Sequence, residues 1–324
     1  MIRLLKIMFL LLPFLMNDKI NAQSSENGFT IIPLGVKGGL DESNLSAYLV
    51  KANGAEQFIC LDAGTIYAGL LKATNTGIYH PTNDPTDFQK KYINSYFISH
   101  GHLDHTAGLV LNSPGDSFKK NIYAIPSVID VLKSSQFSSK SWSNFANEGD
   151  KPIIGKYNYQ YLVPEKEIEV AGTGLSVTPF VLSHVKPYES TAFLVRNQSD
   201  YLLYLGDTGP DEVEHSTQLA NLWNHIAPLI QKKQLKFIFI EVSFSNKVAD
   251  ASLYGHLTPK WLMKEMSNLH QLTGDSLKEV VIMVTHIKPC DNCEATIKEE
   301  LIKSNTLGLT LHFPIQGELI QLKK

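Results

Sequence analysis

The run His100-Gly101-His102-Leu103-Asp104-His105 constrains this chain more than any other feature in it. Three imidazoles and a carboxylate at that density converge only on a loop, where their ring nitrogens and oxygens can share a centre. Imidazole and carboxylate together suit borderline divalent ions, zinc above all. The competing reading is a histidine-rich polar loop that holds no metal. The apolar stretch Tyr96 to Ser99 precedes the run, and Thr106-Ala107-Gly108-Leu109-Val110-Leu111 follows it. The run therefore reads as the turn from a buried strand into a helix.

The same loop-at-strand-end arrangement recurs along the chain. Apolar strand-like runs are Thr30 to Leu34, Ala47 to Val50, Phe58 to Leu61 and Tyr96 to Ser99 in the first half. Leu175 to Leu182, Thr191 to Val195, Tyr201 to Leu205, Phe237 to Val242 and Val280 to Val284 follow in the second. Helical patterns fall between them near Ser127 to Ser134, Thr217 to Gln231 and Pro259 to Leu269, the last opened by Thr258 as N-cap and Pro259 at the first position. Ser134 to Lys156 is polar and reads as an excursion over the surface or a lid. His184, Asp207, Glu241 and His286 each sit at or just beyond the C-terminal end of one of these strands. Strand-end loops can converge on one site without burying unpaired polar groups in a core. Strands in both halves with interleaved helices predict an α/β sandwich of two sheets.

At 324 residues the chain can form one large α/β unit, and its net charge of −3 leaves no basic footprint for nucleic acid. The N-terminus reads as a secretory signal peptide over residues 1–22. Arg3 and Lys6 precede the short apolar core Ile7 to Met16, and Asn21-Ala22-Gln23 offers a cleavage point after Ala22. The apolar run is too short to span a bilayer; an uncleaved anchor is the alternative. Cleavage would leave a mature chain, residues 23–324, near −5, periplasmic or secreted, with no stable membrane association. Of three cysteines, Cys290 and Cys293 form a C-x-x-C pair that closes a small disulfide or stays as free thiols; Cys60 lies in an apolar strand and reads as a small buried hydrophobe. The sequence carries no signal of oligomeric state.

Taken in order, Leu61-Asp62-Ala63-Gly64-Thr65, the H-x-H-x-D-H loop, His184, Asp207 and His286 resemble the signatures of the metallo-β-lactamase-fold superfamily of dinuclear metal hydrolases. The longer stretch from His100 to Ser113-Pro114 is similar to the signature of class II 3′,5′-cyclic-nucleotide phosphodiesterases, with Thr106 standing where an aliphatic residue is usual. Leu34-Gly35-Val36-Lys37-Gly38-Gly39, Glu241 to Ser245 with Leu253 to Leu257, and Thr285-His286-Ile287-Lys288-Pro289 resemble further blocks of that family. The resemblance implies a four-layer αβ/βα metallo-β-lactamase-like sandwich. It implies two divalent metal ions, zinc by preference. His100, His102 and His184 would hold one, Asp104, His105 and His286 the other, with Asp207 bridging. Asp104 is carried as a catalytic carboxylate as well as a ligand.

The implied activity is hydrolysis of 3′,5′-cyclic AMP, or cyclic GMP, to the nucleoside 5′-monophosphate by attack of a metal-bridging hydroxide. The substrate is a small cyclic nucleotide, not nucleic acid. His256 would deliver a proton to the leaving oxygen and Glu241 would orient it; a purely structural pair is the alternative. Phe244 and Tyr254 are candidates for stacking on the base. Another hydrolase on the same fold (lactamase, lactonase or sulfatase) and a non-catalytic metal- or nucleotide-binding protein are the competing functions.

Overall fold

The structure is a computed structural model that describes residues 26–76 and 82–321. The leader expected over residues 1–22 lies outside these, as does His80. The chain builds two seven-stranded sheets. The first holds β1 (Glu26–Gly35), β2 (Ala47–Asn53), β3 (Phe58–Leu61), β4 (Ile93–Phe97), β5 (Lys120–Ala124) and β6 (Tyr157–Tyr161) in sequence order. The second holds β7 (Ile168–Val170), β8 (Leu175–Ser183), β9 (Glu189–Asn197), β10 (Asp200–Leu205), β11 (Leu235–Glu241), β12 (Val281–Thr285) and β13 (Thr310–His312), also in order. A last strand, β14 (Ile320–Gln321), returns to pair with β1. The helices are α1 (Tyr67–Asn75), α2 (Pro85–Tyr92), α3 (Leu103–Asn112), α4 (Pro126–Val131), α5 (Asp211–Glu214), α6 (Gln218–Gln231), α7 (Pro259–Thr273) and α8 (Cys293–Ser304).

The central strands are apolar throughout because both their faces are covered. In β10, Leu202 and Tyr204 join the core between the sheets, while Leu203 and Leu205 join a second core beneath α6, α7 and α8. In β11, Phe237 and Phe239 face the first core and Ile238 and Ile240 the second. The period of two along a strand produces this division. Tyr48 of β2 meets Tyr204 and Phe239 across the gap, with ring centroids 5.6 and 5.2 Å apart, and so ties the two sheets. Helices α1, α2 and α4 pack on strands of the first sheet. The two-sheet sandwich with helices on its flanks is the expected architecture.

All nine strand-like runs of the sequence are strands, and the three helical runs are helices. The segment after α4 departs from expectation. It is largely irregular, but it is not a lid: Phe137, Phe145 and Ala146 are buried in the core. Gln136 Nε2 donates to Gly101 O at 3.0 Å and to Thr106 Oγ1 at 2.8 Å. The segment braces the histidine loop from behind. Thr106 is polar here for that reason: its hydroxyl accepts from Gln136 and donates to His102 O at 3.0 Å. Among the described residues, no helix is long and apolar enough to cross a membrane.

Strand direction places the reactive residues together. β10, β11 and β12 are mutually parallel, and β8 runs the same way because two antiparallel pairings through β9 separate it from β10. Their C-terminal ends therefore share one edge. In the first sheet β3 and β4 are parallel and end at the same place.

Candidate active site

The site starts from a turn held in an uncommon conformation. Asp62 follows β3 with φ at 52°, in the left-handed region that costs a non-glycine residue roughly 1–3 kcal/mol. Its N–H bonds Phe97 O at 2.8 Å. Its carboxylate accepts from Ser99 N and Ser99 Oγ, both at 2.7 Å, and from Tyr204 OH at 2.6 Å. The remaining partner is His105 Nδ1 at 2.7 Å. The next two residues bring α3 close. Gly108 N donates to Gly64 O at 2.8 Å, and a Cβ on Gly108 would lie 2.7 Å from Ala63 O. Two glycines thus let the first turn of α3, with Asp104 and His105, press against the turn at Asp62.

Four of the histidines, all but His102, are then fixed by their outer ring nitrogen. His105 Nδ1 is on Asp62, His184 Nδ1 on Gly255 O at 2.8 Å, His286 Nδ1 on Ser243 Oγ at 2.9 Å and His100 Nδ1 on Ser99 Oγ at 3.0 Å. Their Nε2 atoms turn inward. His105 Nε2 and His286 Nε2 stand 3.1 Å apart, and His102 Nδ1 lies 3.0 Å from His100 Nε2 and 3.3 Å from His184 Nε2. This is how metal-binding imidazoles are built: one nitrogen oriented by a supporting partner, the other left for the ion. Carboxylates complete the set. Asp207 Oδ1 is 3.2 Å from His105 Nε2, its Oδ2 is 3.2 Å from His286 Nε2, and Asp104 Oδ2 is 3.1 Å from His286 Nε2. Donor atoms of His100, His102 and His184 form one group that could hold a cation; those of Asp104, His105, Asp207 and His286 form another. These are the seven residues expected, and the donor chemistry fits a divalent ion.

The electrostatics agree. Burial pulls the His100 and His184 pKa values down, which leaves their nitrogens free of protons. Burial alone would raise Asp207, but His286 and His105 outweigh it and hold the carboxyl well below its usual range. His105 moves the other way: burial opposes its charge, and Asp207 and Asp62 override burial.

Beside the cluster stands a second arrangement. Glu241 ends β11 and is buried; its Oε1 is 2.8 Å from His256 Nδ1 and accepts from Thr208 N at 3.0 Å. Ser243, two residues on and so on the same side of the chain, donates from Oγ to Glu241 Oε2 at 2.6 Å. Burial lowers the His256 pKa, but Glu241 overcomes it, and the net shift is upward. His256 Nε2 lies 3.0 Å from Lys288 Nζ. His256 is thus oriented by a carboxylate and faces a cation, as suits a group that handles protons.

The family model of the class-II cAMP phosphodiesterases matches residues 26–317. The chain belongs to this family. Among relatives of this class-II phosphodiesterase, a 3′,5′-cyclic-nucleotide phosphodiesterase of Aliivibrio fischeri is 40% identical over 313 residues, or 92% of this chain and 94% of the relative. Unliganded yeast PDE1 superposes with a TM-score of 0.78 at 25% identity, over 91% of this chain and 99% of that one. The metallo-beta-lactamase fold protein YhfI of Bacillus subtilis superposes with a TM-score of 0.61 at 14% identity, over 91% and 100% of the two chains, a likeness of fold.

Several residues of the phosphodiesterase site escaped sequence reasoning. Ser99, Ser243 and Lys288 stand one or two positions from assigned residues but were given no role, and Tyr204 reaches the site only through the fold, 142 positions from its partner Asp62. The stacking candidates fare differently. Phe244 lies edge-on to His256 at 5.6 Å between centroids, with Lys288 Nζ 5.2 Å from its ring centre, so its face is already occupied. Tyr254 is exposed on a left-handed turn. Cys290 and Cys293 are disulfide-bonded, and Cys60 is buried.

Proposed function

We propose that the chain hydrolyses 3′,5′-cyclic AMP and cyclic GMP to the nucleoside 5′-monophosphate, breaking the 3′ ester. One observation carries this: two adjacent groups of cation donors, with Asp207 Oδ2 3.8 Å from His100 of the first and 3.2 Å from His286 of the second, and the Glu241–His256 pair beside them. His100, His102 and His184 would hold one divalent ion, zinc by donor preference, and Asp104, His105 and His286 the other, with Asp207 between. A metal pair supplies Lewis acidity and an activated water when bound. The protein's own part is orientation and proton transfer. Expulsion of the 3′ oxygen needs a proton, and His256 Nε2 delivers it. Glu241 holds the ring by Nδ1, and Lys288 brings positive charge to the phosphate. Asp104 is placed by Gly39 N, which donates to its Oδ2 at 2.9 Å.

The test uses the chain from Gln23 onward, loaded with zinc. Conversion of cyclic AMP to 5′-AMP, abolished by a chelator and absent with a β-lactam and a lactone, is the expected result. No cyclic-nucleotide turnover in protein shown to carry two metal ions would refute the substrate. We further infer export to the periplasm or medium, supported by the leader-like residues 1–22 and by a disulfide that persists in oxidising compartments. Mass spectrometry of the mature N-terminus should find Gln23.

A further inference from the structure

A slot opens beside the cluster, lined by His102, Val128, Val131, Pro187, Tyr188 and Glu189 among others. It adjoins the edge of His102, and the Tyr188 ring lies 6.0 Å from the His102 ring between centroids. Tyr188 is 60% exposed, so most of its ring is free. Val128 and Val131 come from α4, and Pro187, Tyr188 and Glu189 from the segment that opens β9. At the rim, Ser127 Oγ donates to Glu189 Oε2 at 2.8 Å. With the hydroxyl proton spent on the carboxylate, this rim offers acceptors only.

We propose that this slot is the base subsite, with Tyr188 stacking on a purine and the Ser127–Glu189 pair reading its donor edge. The inference rests on the phosphodiester reading of the metal cluster and deepens it. Chemistry decides the base. A phosphate seated at the cluster puts the ribose and base within reach of His102 and the slot beyond it. An aromatic face takes any base, since all have a π-face. Selection comes from the rim. Guanine presents adjacent N1–H and N2–H donors that a carboxylate can accept together. Adenine presents only its N6 amino donors, next to an acceptor. Glu189 therefore sets a preference for cyclic GMP over cyclic AMP while admitting both.

The experiment compares kcat/KM for cyclic GMP, cyclic AMP and bis(4-nitrophenyl) phosphate, which has no base. Wild type, Tyr188→Ala, Tyr188→Phe and Glu189→Gln are assayed with zinc, and GMP and AMP binding is measured calorimetrically. Tyr188→Ala should raise KM for both cyclic nucleotides about 10-fold or more and spare the nitrophenyl ester; Tyr188→Phe should behave as wild type. Glutamine pairs with adenine through both ends of its amide, and against guanine's two donors it can offer one acceptor only, its amino group opposing the other. Glu189→Gln should therefore move the cyclic GMP to cyclic AMP ratio about 10-fold toward cyclic AMP, with the same shift in GMP and AMP binding. An unchanged ratio, or equal loss on the nitrophenyl ester in Tyr188→Ala, overturns the subsite. Wild-type protein that cleaves the nitrophenyl ester but neither cyclic nucleotide refutes the underlying substrate, and the subsite with it.

Discussion

The His256 ring sits between a buried carboxylate and an ammonium, 2.8 Å from Glu241 and 3.0 Å from Lys288. His256 stands within ligand reach of His184 and Asp207, but Glu241 engages its Nδ1 and Lys288 its Nε2, so removing it should leave metal content intact. His256→Ala should slow cyclic-nucleotide cleavage roughly 10²–10⁴-fold, the usual worth of a general acid. An ester with a nitrophenol leaving group, which departs without a proton, should lose far less. Equal losses on both substrates, or loss of metal by elemental analysis, would count against the proton-donor role. At this scale the sequence was readable where residue type is rare and dense. Three histidines in six positions declare themselves, and His184, Asp207 and His286 follow from their strand ends. Ser243 and Tyr204 do not, because serine and tyrosine occur everywhere; Ser243 is near Glu241 in the chain but carries no signal of its contact, and only folding brings Tyr204 to Asp62.

Loops and helices hold these side chains with little slack. Gly38, after β1, packs flat on the His286 ring, and a Cβ there would lie 2.3 Å from its Cε1. Gly38→Ala should push His286 aside and weaken metal binding about 10-fold or more, as loss of a supporting contact does, while circular dichroism stays native. Unaltered affinity would mean that the loop yields freely. A second element-level prediction concerns α7. Glu265 is buried there against α6 and accepts from Trp223 Nε1 at 2.9 Å. Burial raises its pKa above the ordinary glutamate value. An acid with a raised folded-state pKa binds its proton more tightly in the native state than in the unfolded one. Stability is then lost as pH climbs from the unfolded value through the folded one. Glu265→Gln keeps the acceptor and removes the charge, so its Tm should exceed wild type at pH 7 and the advantage should vanish near pH 4. The elements themselves were legible where both faces are covered and the run is all apolar, as in β10 and β11. β5 and β6 were not, since Lys120-Asn121 and Tyr157-Asn158-Tyr159-Gln160 carry polar groups into the sheet. Lys120 is buried there, with Nζ 2.6 Å from Asp116 Oδ1, a pairing that sequence alone does not announce.

Across the whole molecule the seven candidate ligands divide four and three between the two sheets. His100, His102, Asp104 and His105 follow β4 of the first; His184, Asp207 and His286 follow β8, β10 and β12 of the second. The halves already share a core, through Tyr48, Tyr204, Phe97 and Phe193 among others. The fold should therefore survive without metal, but a bound ion joins both sheets and binds only the native state. Such a ligand stabilises by about 4 kcal/mol at a thousand times its Kd. In a chain this long that is a Tm shift of roughly 5–15 °C per ion. Dialysis against a chelator should lower the Tm by that amount, leave the far-ultraviolet spectrum native, and be reversed by zinc. Asp207 lies 3.2 Å from His105 and His286 of one donor group and 3.8 Å from His100 of the other, so Asp207→Ala should lose both activity and most of the zinc-dependent rise. Zinc stabilising Asp207→Ala as much as wild type would show that the remaining donors hold the ions without Asp207. It would also remove Asp207 from its place between the two donor groups.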